Sequence, residues 1–366
     1  MSGVGQFSEG PPQGSRSAAK TKLAPLGLSP AAPRLPAQAR TGRRATASGG
    51  GPSSAVRAAT AMAVAGEVTS VGAIFAGVYP ILYAFYDAQG RIDDGLMRLQ
   101  VEKCIATGAD GIAVLGLVTE VHKLDVNERR HLVEVVGRAI GARVPYAVTI
   151  GEQSVHGQVE FARMARDNGA SWVILQPPSI KGYPEAEYLR FLGAVASQVD
   201  LPVAVQNNPV NMDVSLSNAG LLKLREDHPN ITMLKGEGPA VGVAELVRAA
   251  QGRYAVFAGH GGKEYISNIR SGCVGLIPAP DCLEHQVLLH RLLTSGRMDE
   301  AEALHARLLP LILFMTQSVP HLLCYGKRLF ASRIGITEVH ARAPELQPTA
   351  FGLEEVRRMT QGWGPL

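Results

Sequence analysis

Four cysteines in 366 residues are too few and too scattered for a disulfide framework. Cys104, Cys273, Cys282 and Cys324 form no CxxC pair and lie in apolar patterns, so they read as reduced core residues of a cytoplasmic protein. Cys282 and His285 sit one turn apart in a helical pattern, where packing is the expected role. There is no HExxH and no other spaced ligand cluster, so neither a metal nor a cofactor is expected. No run approaches the roughly 18–20 uninterrupted apolar residues that a membrane helix requires. There is also little acid at the front. Residues 1–66 hold eight basic residues and only Glu9, a balance of +7, which leaves −3 for the rest of a chain whose total is +4. A mildly acidic body does not favour a nucleic-acid partner.

The 1–66 segment is rich in Ala, Gly, Pro, Ser and Arg and has no sustained periodicity. It is expected to be a disordered tail, superficially like an organelle transit peptide, with Met62 as an alternative start. From Gly72 the pattern becomes regular. Short apolar runs at 73–83, 111–116, 145–150, 172–176, 202–206, 231–235, 254–258 and 274–278 read as strands. Amphipathic stretches at 93–107, 126–140, 154–168, 185–198, 215–227, 239–250, 262–271 and 281–295 read as helices between them. Eight βα units and no GxGxxG fingerprint predict an α/β fold of the (β/α)8 TIM-barrel type over residues 67–295. Helical patterns at 299–315, 319–332 and 352–361 predict a C-terminal helical appendage over 296–366.

In such a barrel, chemistry belongs at the C-terminal strand ends. Lys235 closes the apolar sixth strand, which is an unusual place for a residue that normally seeks water. An apolar setting disfavours an ammonium and frees an amine to attack a ketone. Glu237 follows on the same face as a candidate acid/base, and a simple ion pair is the plain alternative. Gln206 and Asn207 end the fifth strand, and Thr119 and Glu120 follow the second. Ser179, Lys181 and Tyr183 follow the fourth strand, and His260 follows the seventh in a glycine-rich turn. Pro278 ends the eighth. Lys235, Glu237, Gln206 and Glu120 are the candidate catalytic residues. Thr119, Asn207, Ser179, Lys181, His260 and Pro278 are the candidate substrate contacts.

These residues give the chain a resemblance to the dihydrodipicolinate synthase / N-acetylneuraminate lyase family. It shows in the run from Gly77 to Leu82, in the run from Gly108 to Gly116, in Lys235, and in the glycine-rich stretch from Gly272 to Ile277. The resemblance implies a barrel, usually tetrameric, whose lysine forms a Schiff base with a 2-oxo acid without a cofactor. The family's Gly-Thr-Thr-Gly-Glu motif is replaced by Gly116-Leu117-Val118-Thr119-Glu120, and its relay tyrosine by Gln206. Its Tyr-Tyr pair becomes Pro178-Ser179. The chain is more similar to the 2-keto-3-deoxy-L-arabonate dehydratase branch. The likeness lies in Val205-Gln206-x-x-Pro209, Lys235-x-Glu237-x-Pro239, Thr119-Glu120, Pro177-Pro178 and the run from Leu309 to Ile312. This implies dehydration of a 2-keto-3-deoxy sugar acid. A pyruvate-releasing aldolase, a synthase-like enzyme and a non-catalytic oxo-acid-binding barrel are the alternatives.

Overall fold

A computed structural model of the chain describes residues 75–366. The expectations for 1–66, and residues 73–74 of the first strand, lie outside the described residues. Eight strands form one parallel sheet: β1 (Gly77–Val78), β2 (Ile112–Val114), β3 (Tyr146–Ile150), β4 (Trp172–Leu175), β5 (Val203–Asn207), β6 (Ile231–Gly236), β7 (Ala255–Ala258) and β8 (Gly275–Leu276). Their order is β1-β8-β7-β6-β5-β4-β3-β2. The two edges then meet. Ala113 N donates to Pro80 O and Leu82 N to Ala113 O, each at 3.0 Å, and Ile81 bridges Ala113 in parallel. The sheet therefore closes into the expected barrel and leaves no open edge.

The outer ring consists of α1 (Asp94–Ala106), α2 (Val126–Ile140), α3 (Val155–Asp167), α4 (Glu185–Ala196), α5 (Asn218–Asp227), α6 (Ala240–Ala250), α7 (Tyr265–Arg270) and α8 (Leu283–Thr294). Polar residues set several starts by accepting from first-turn amides: Asp93, Ser154 and Ser217 do so, and Asp125 with Glu128 forms a capping box. The barrel interior is filled by a few large rings. Trp172 stacks on Phe257 with centroids 5.5 Å apart and meets Tyr79 edge-on, while Ala113, Ala147, Ala204 and Ala255 make room for them.

Two strands are much shorter than their apolar runs. Of 73–83 only Gly77–Val78 is ladder, and of 274–278 only Gly275–Leu276. Pro80 and Pro278 cannot donate to a ladder. At Gly275 the neighbouring strand lies so close that a Cβ would stand 2.1 Å from Gly77 O. The helix expected at 262–271 begins only at Tyr265, because His260–Gly262 forms a tight 3-10 turn.

The appendage packs on the barrel through α9 (Met298–Met315), α10 (Val319–His321), α11 (Lys327–Arg333) and α12 (Ala350–Met359). Leu308, Leu311 and Ile312 of α9 are buried, as their apolar run predicts. The expected single helix at 319–332 is interrupted by a π-helical turn, Leu322–Gly326. Among the described residues, no single helix is long and apolar enough to cross a membrane.

Candidate active site

Side chains of a strand alternate between its faces. On β6 the inward set runs from the interior to the barrel mouth as Met233, Lys235 and then Glu237. Lys235 is 6% exposed and Glu237 8%, so both side chains are held out of bulk water. Lys235 Nζ stands 3.4 Å from Glu237 Oε2. The same oxygen accepts from Gln206 Nε2 at 2.6 Å and from Asn208 Nδ2 at 2.9 Å. Gln206 Oε1 in turn accepts from Gln176 Nε2 at 2.8 Å. A line of amides from β4 and β5 thus fixes the carboxylate beside the amine. Gly259, past the end of β7, leaves space for it, since a Cβ there would lie 2.4 Å from Glu237 Oε1.

Lys235 and Glu237 open onto a cavity of about 470 Å³ at the C-terminal mouth of the barrel. Ile81, Leu117, Val118 and Ile277 supply apolar walls, joined by Ile312 and Met315 of α9 and Leu322 of the π turn. An amine in such an apolar setting can condense with a ketone. His260 and Pro278 are in the lining as well. His260 has a left-handed φ of 52°, its Nε2 is buried without a partner, and burial pushes its imidazole below the usual range. A neutral imidazole can either donate or accept a hydrogen bond.

Of the expected site residues, Lys235, Glu237, His260 and Pro278 share this cavity, and Gln206 reaches it through Glu237. The others do not. Glu120 is buried between Lys123 and Lys327 and lines a separate cavity. Thr119 spends its hydroxyl on the fold, donating to Leu82 O at 2.7 Å and accepting from Leu115 N at 3.0 Å. Asn207 faces away from the barrel interior and staples the following loop, exchanging bonds of 3.0 and 2.8 Å with the Leu216 backbone. Ser179 bonds Gln153, Lys181 pairs with Asp213 at 2.7 Å, and Tyr183 is 57% exposed. All three lie outside the lining of the Lys235 cavity.

Several polar residues around the site were not among the expected ones, notably Gln176, Asn208, Lys263 and Asp281. The first two were detectable, since each lies two residues beyond an inward side chain, Ile174 and Gln206. Asp281 lines the cavity from the loop after β8 and accepts from the Tyr83 hydroxyl at 3.3 Å. Burial drives its carboxyl up to about 6, against the pull of its own backbone amide and Tyr83. No local pattern marks it, because its partner is 198 residues away.

The fold and site define a (β/α)8 barrel enzyme whose buried strand-six lysine is paired with a carboxylate at the C-terminal mouth. The model of the dihydrodipicolinate synthetase family matches residues 74–359, and the chain belongs to that family of lyases. A 4-hydroxy-tetrahydrodipicolinate synthase of Thermus thermophilus is 28% identical over 286 residues, covering 76% of this chain and 93% of the relative. The synthase of Pelobacter propionicus is 28% identical over 224 residues, covering 60% and 76%. Among solved structures, the 4-hydroxy-tetrahydrodipicolinate synthase of Methylacidiphilum fumariolicum SolV superposes with a TM-score of 0.70 at 24% identity, covering 78% and 94%. YagE, a prophage protein of the dihydrodipicolinic acid synthase family from E. coli K12 in complex with pyruvate, gives 0.71 at 21%, covering 79% and 98%. At these identities the two structures establish a shared barrel.

Proposed function

We propose that this chain dehydrates a 2-keto-3-deoxy sugar acid, of the 2-keto-3-deoxy-L-arabonate kind, through a Schiff base on Lys235. The buried Lys235–Glu237 pair at the mouth cavity carries this reading. Lys235 Nζ adds to the C2 ketone and water leaves, giving an iminium. The iminium acidifies C3, Glu237 removes a C3 proton, and an enamine forms. The enamine expels the C4 hydroxyl, which takes up a proton and departs as water. Tautomerisation and hydrolysis then free Lys235 and release a dioxo acid. The net change in the substrate is loss of one water.

Gln206 supports dehydration over aldol cleavage. An amide in the position of the family's relay tyrosine can orient Glu237, yet it cannot shuttle a proton as a phenol does. His260 and Asn208 are placed to hold substrate hydroxyls. Four buried, unpaired cysteines support a reducing, cytoplasmic setting, and a homotetramer is proposed from family resemblance alone. The test is borohydride reduction in the presence of substrate, followed by peptide mapping. A mass gain on Lys235 is expected, and no adduct with any 2-oxo acid would leave a non-catalytic barrel. A screen of 2-keto-3-deoxy sugar acids should yield dioxo acids. The names of the curated relatives favour a second reading, an aldolase-type condensation, and pyruvate release or consumption in the same screen would establish it.

A further inference from the structure

Beside the Lys235 cavity lies a second one of about 530 Å³, and the two share Leu117, Asn211 and Val319. Its polar lining leans basic: Lys123, Lys327, Arg328 and His122 face Glu120 and Glu345. The Lys123 and Lys327 side chains are only 6% and 2% exposed, and both depend on one carboxylate. Lys123 takes Glu120 Oε2 at 2.7 Å and Lys327 takes Oε1. Both oxygens are therefore engaged, and two buried ammonium groups face a single negative charge. The remaining contacts are weaker. Lys123 also donates to the Arg342 carbonyl at 2.9 Å, and Lys327 lies 5.0 Å over the Tyr86 ring. The nearby Glu128 is already held by Arg342. Arg328 donates to the Cys324 carbonyl at 2.8 Å and, among the described residues, has no acidic partner. Burial pushes the Lys327 ammonium down, a cost that an incoming anion would offset.

We propose that this second cavity is a carboxylate-binding site, separate from the imine-forming lysine, in which a small organic-acid anion is held by Lys327, Lys123 and Arg328. The carboxylate can be a free acid or the far end of the substrate itself. The inference rests on the charge surplus and stands or falls independently of the dehydratase reading.

Calorimetric titration of the full chain with malonate, at fixed ionic strength, tests it. One malonate per chain is expected, weakened by about tenfold or more in Arg328→Gln and largely restored in Arg328→Lys. Arg328 is partly exposed, which makes it a safer probe than the buried lysines. The titration is then repeated on protein whose Lys235 has been reductively capped with pyruvate or with 2-oxoglutarate. Binding that survives both caps assigns the site to a free acid. Binding that survives pyruvate and is lost with 2-oxoglutarate assigns it to the substrate's far end. Absence of malonate binding, equal affinity in wild type and Arg328→Gln, or loss of binding on capping with pyruvate would overturn the proposal. If Lys235 resists capping, the dehydratase reading fails while the comparison of Arg328 variants still decides this one.

Discussion

Glu237 and Glu120 are both buried carboxylates within three residues of a lysine, at strand ends on the same side of the barrel, yet they are held in opposite ways. Glu237 has Lys235 Nζ at 3.4 Å and two neutral amide donors, all on Oε2. Its other oxygen faces Gly259 and the cavity. Glu120 has each oxygen engaged by its own buried ammonium. A carboxylate oriented mainly by amides can exchange a proton with a ligand. One clamped between two lysines has both oxygens taken up and serves the fold. Burial and proximity to lysine are therefore poor guides to catalysis, whereas the nature of the donors separates the two roles.

Removing the groups proposed to react should break the comparison most sharply. Lys235→Ala is expected to abolish the borohydride-dependent adduct and to lower kcat/KM by about 10³-fold or more, because no other amine in the lining is placed at the inner face of β6. Retention of turnover in that variant would end the enzymatic reading of this site. Glu237→Gln keeps the shape and removes the proton acceptor. It should lower kcat by about 10²–10⁴-fold, with KM changed far less. The matching change on the other side, Glu120→Gln, leaves Lys123 and Lys327 buried without an anion. It is expected to cost about 3–5 kcal/mol of stability, read as a lowered urea midpoint at unchanged slope. A Glu120→Gln protein as stable as wild type would show that the clamp is not structural.

A third buried carboxylate, Asp281, sharpens the contrast, since it has neither a clamp nor a lysine. Its folded value of about 6 lies above the ordinary 3.8, so the native state binds the proton more tightly than the unfolded chain. The stabilisation is fully present below about pH 4 and is lost as pH rises through 6, a swing of roughly 3 kcal/mol. Glu284 has the opposite sign. Burial resists its ionisation, but His285 and Arg333 outweigh it and hold the carboxyl down at about 2, so its contribution is lost only as pH falls below the ordinary 4.5. Across pH 4.5–7 the melting temperature of wild type should therefore fall relative to that of Asp281→Asn, so the difference between their slopes isolates this carboxyl from the titrating histidines. An unchanged slope would mean that Asp281 is solvated.

Much of this was legible because the signals are local and periodic. All eight strands and their helices follow from apolar runs and caps, and Lys235 stands out as a lone cation closing such a run. What escaped depends on contacts distant in sequence. Glu120 resembles an active-site acid until Lys327, 207 residues later, is seen against it. Thr119 resembles a ligand group until the Leu82 carbonyl claims its hydroxyl. The short ladders of β1 and β8 arise from prolines and from the close approach of Gly77 and Gly275, which hydrophobicity alone does not reveal.

Asn207 and Asn208 are a different kind of miss, one of parity. Ala204 and Gln206 point into the barrel, so Asn208 must also do so while Asn207 points out. Reading the strand end as a pair of amides obscured that alternation. The two asparagines should therefore respond differently to the same truncation. Asn208→Ala removes a donor from Glu237 Oε2 and should lower kcat. Asn207→Ala breaks two bonds to Leu216 in a half-buried loop and should cost about 1 kcal/mol of stability, with kcat close to wild type. If the asparagines exchanged these effects, the inward face of β5 would be misassigned by one residue, and Gln206 would have to leave the network around Glu237.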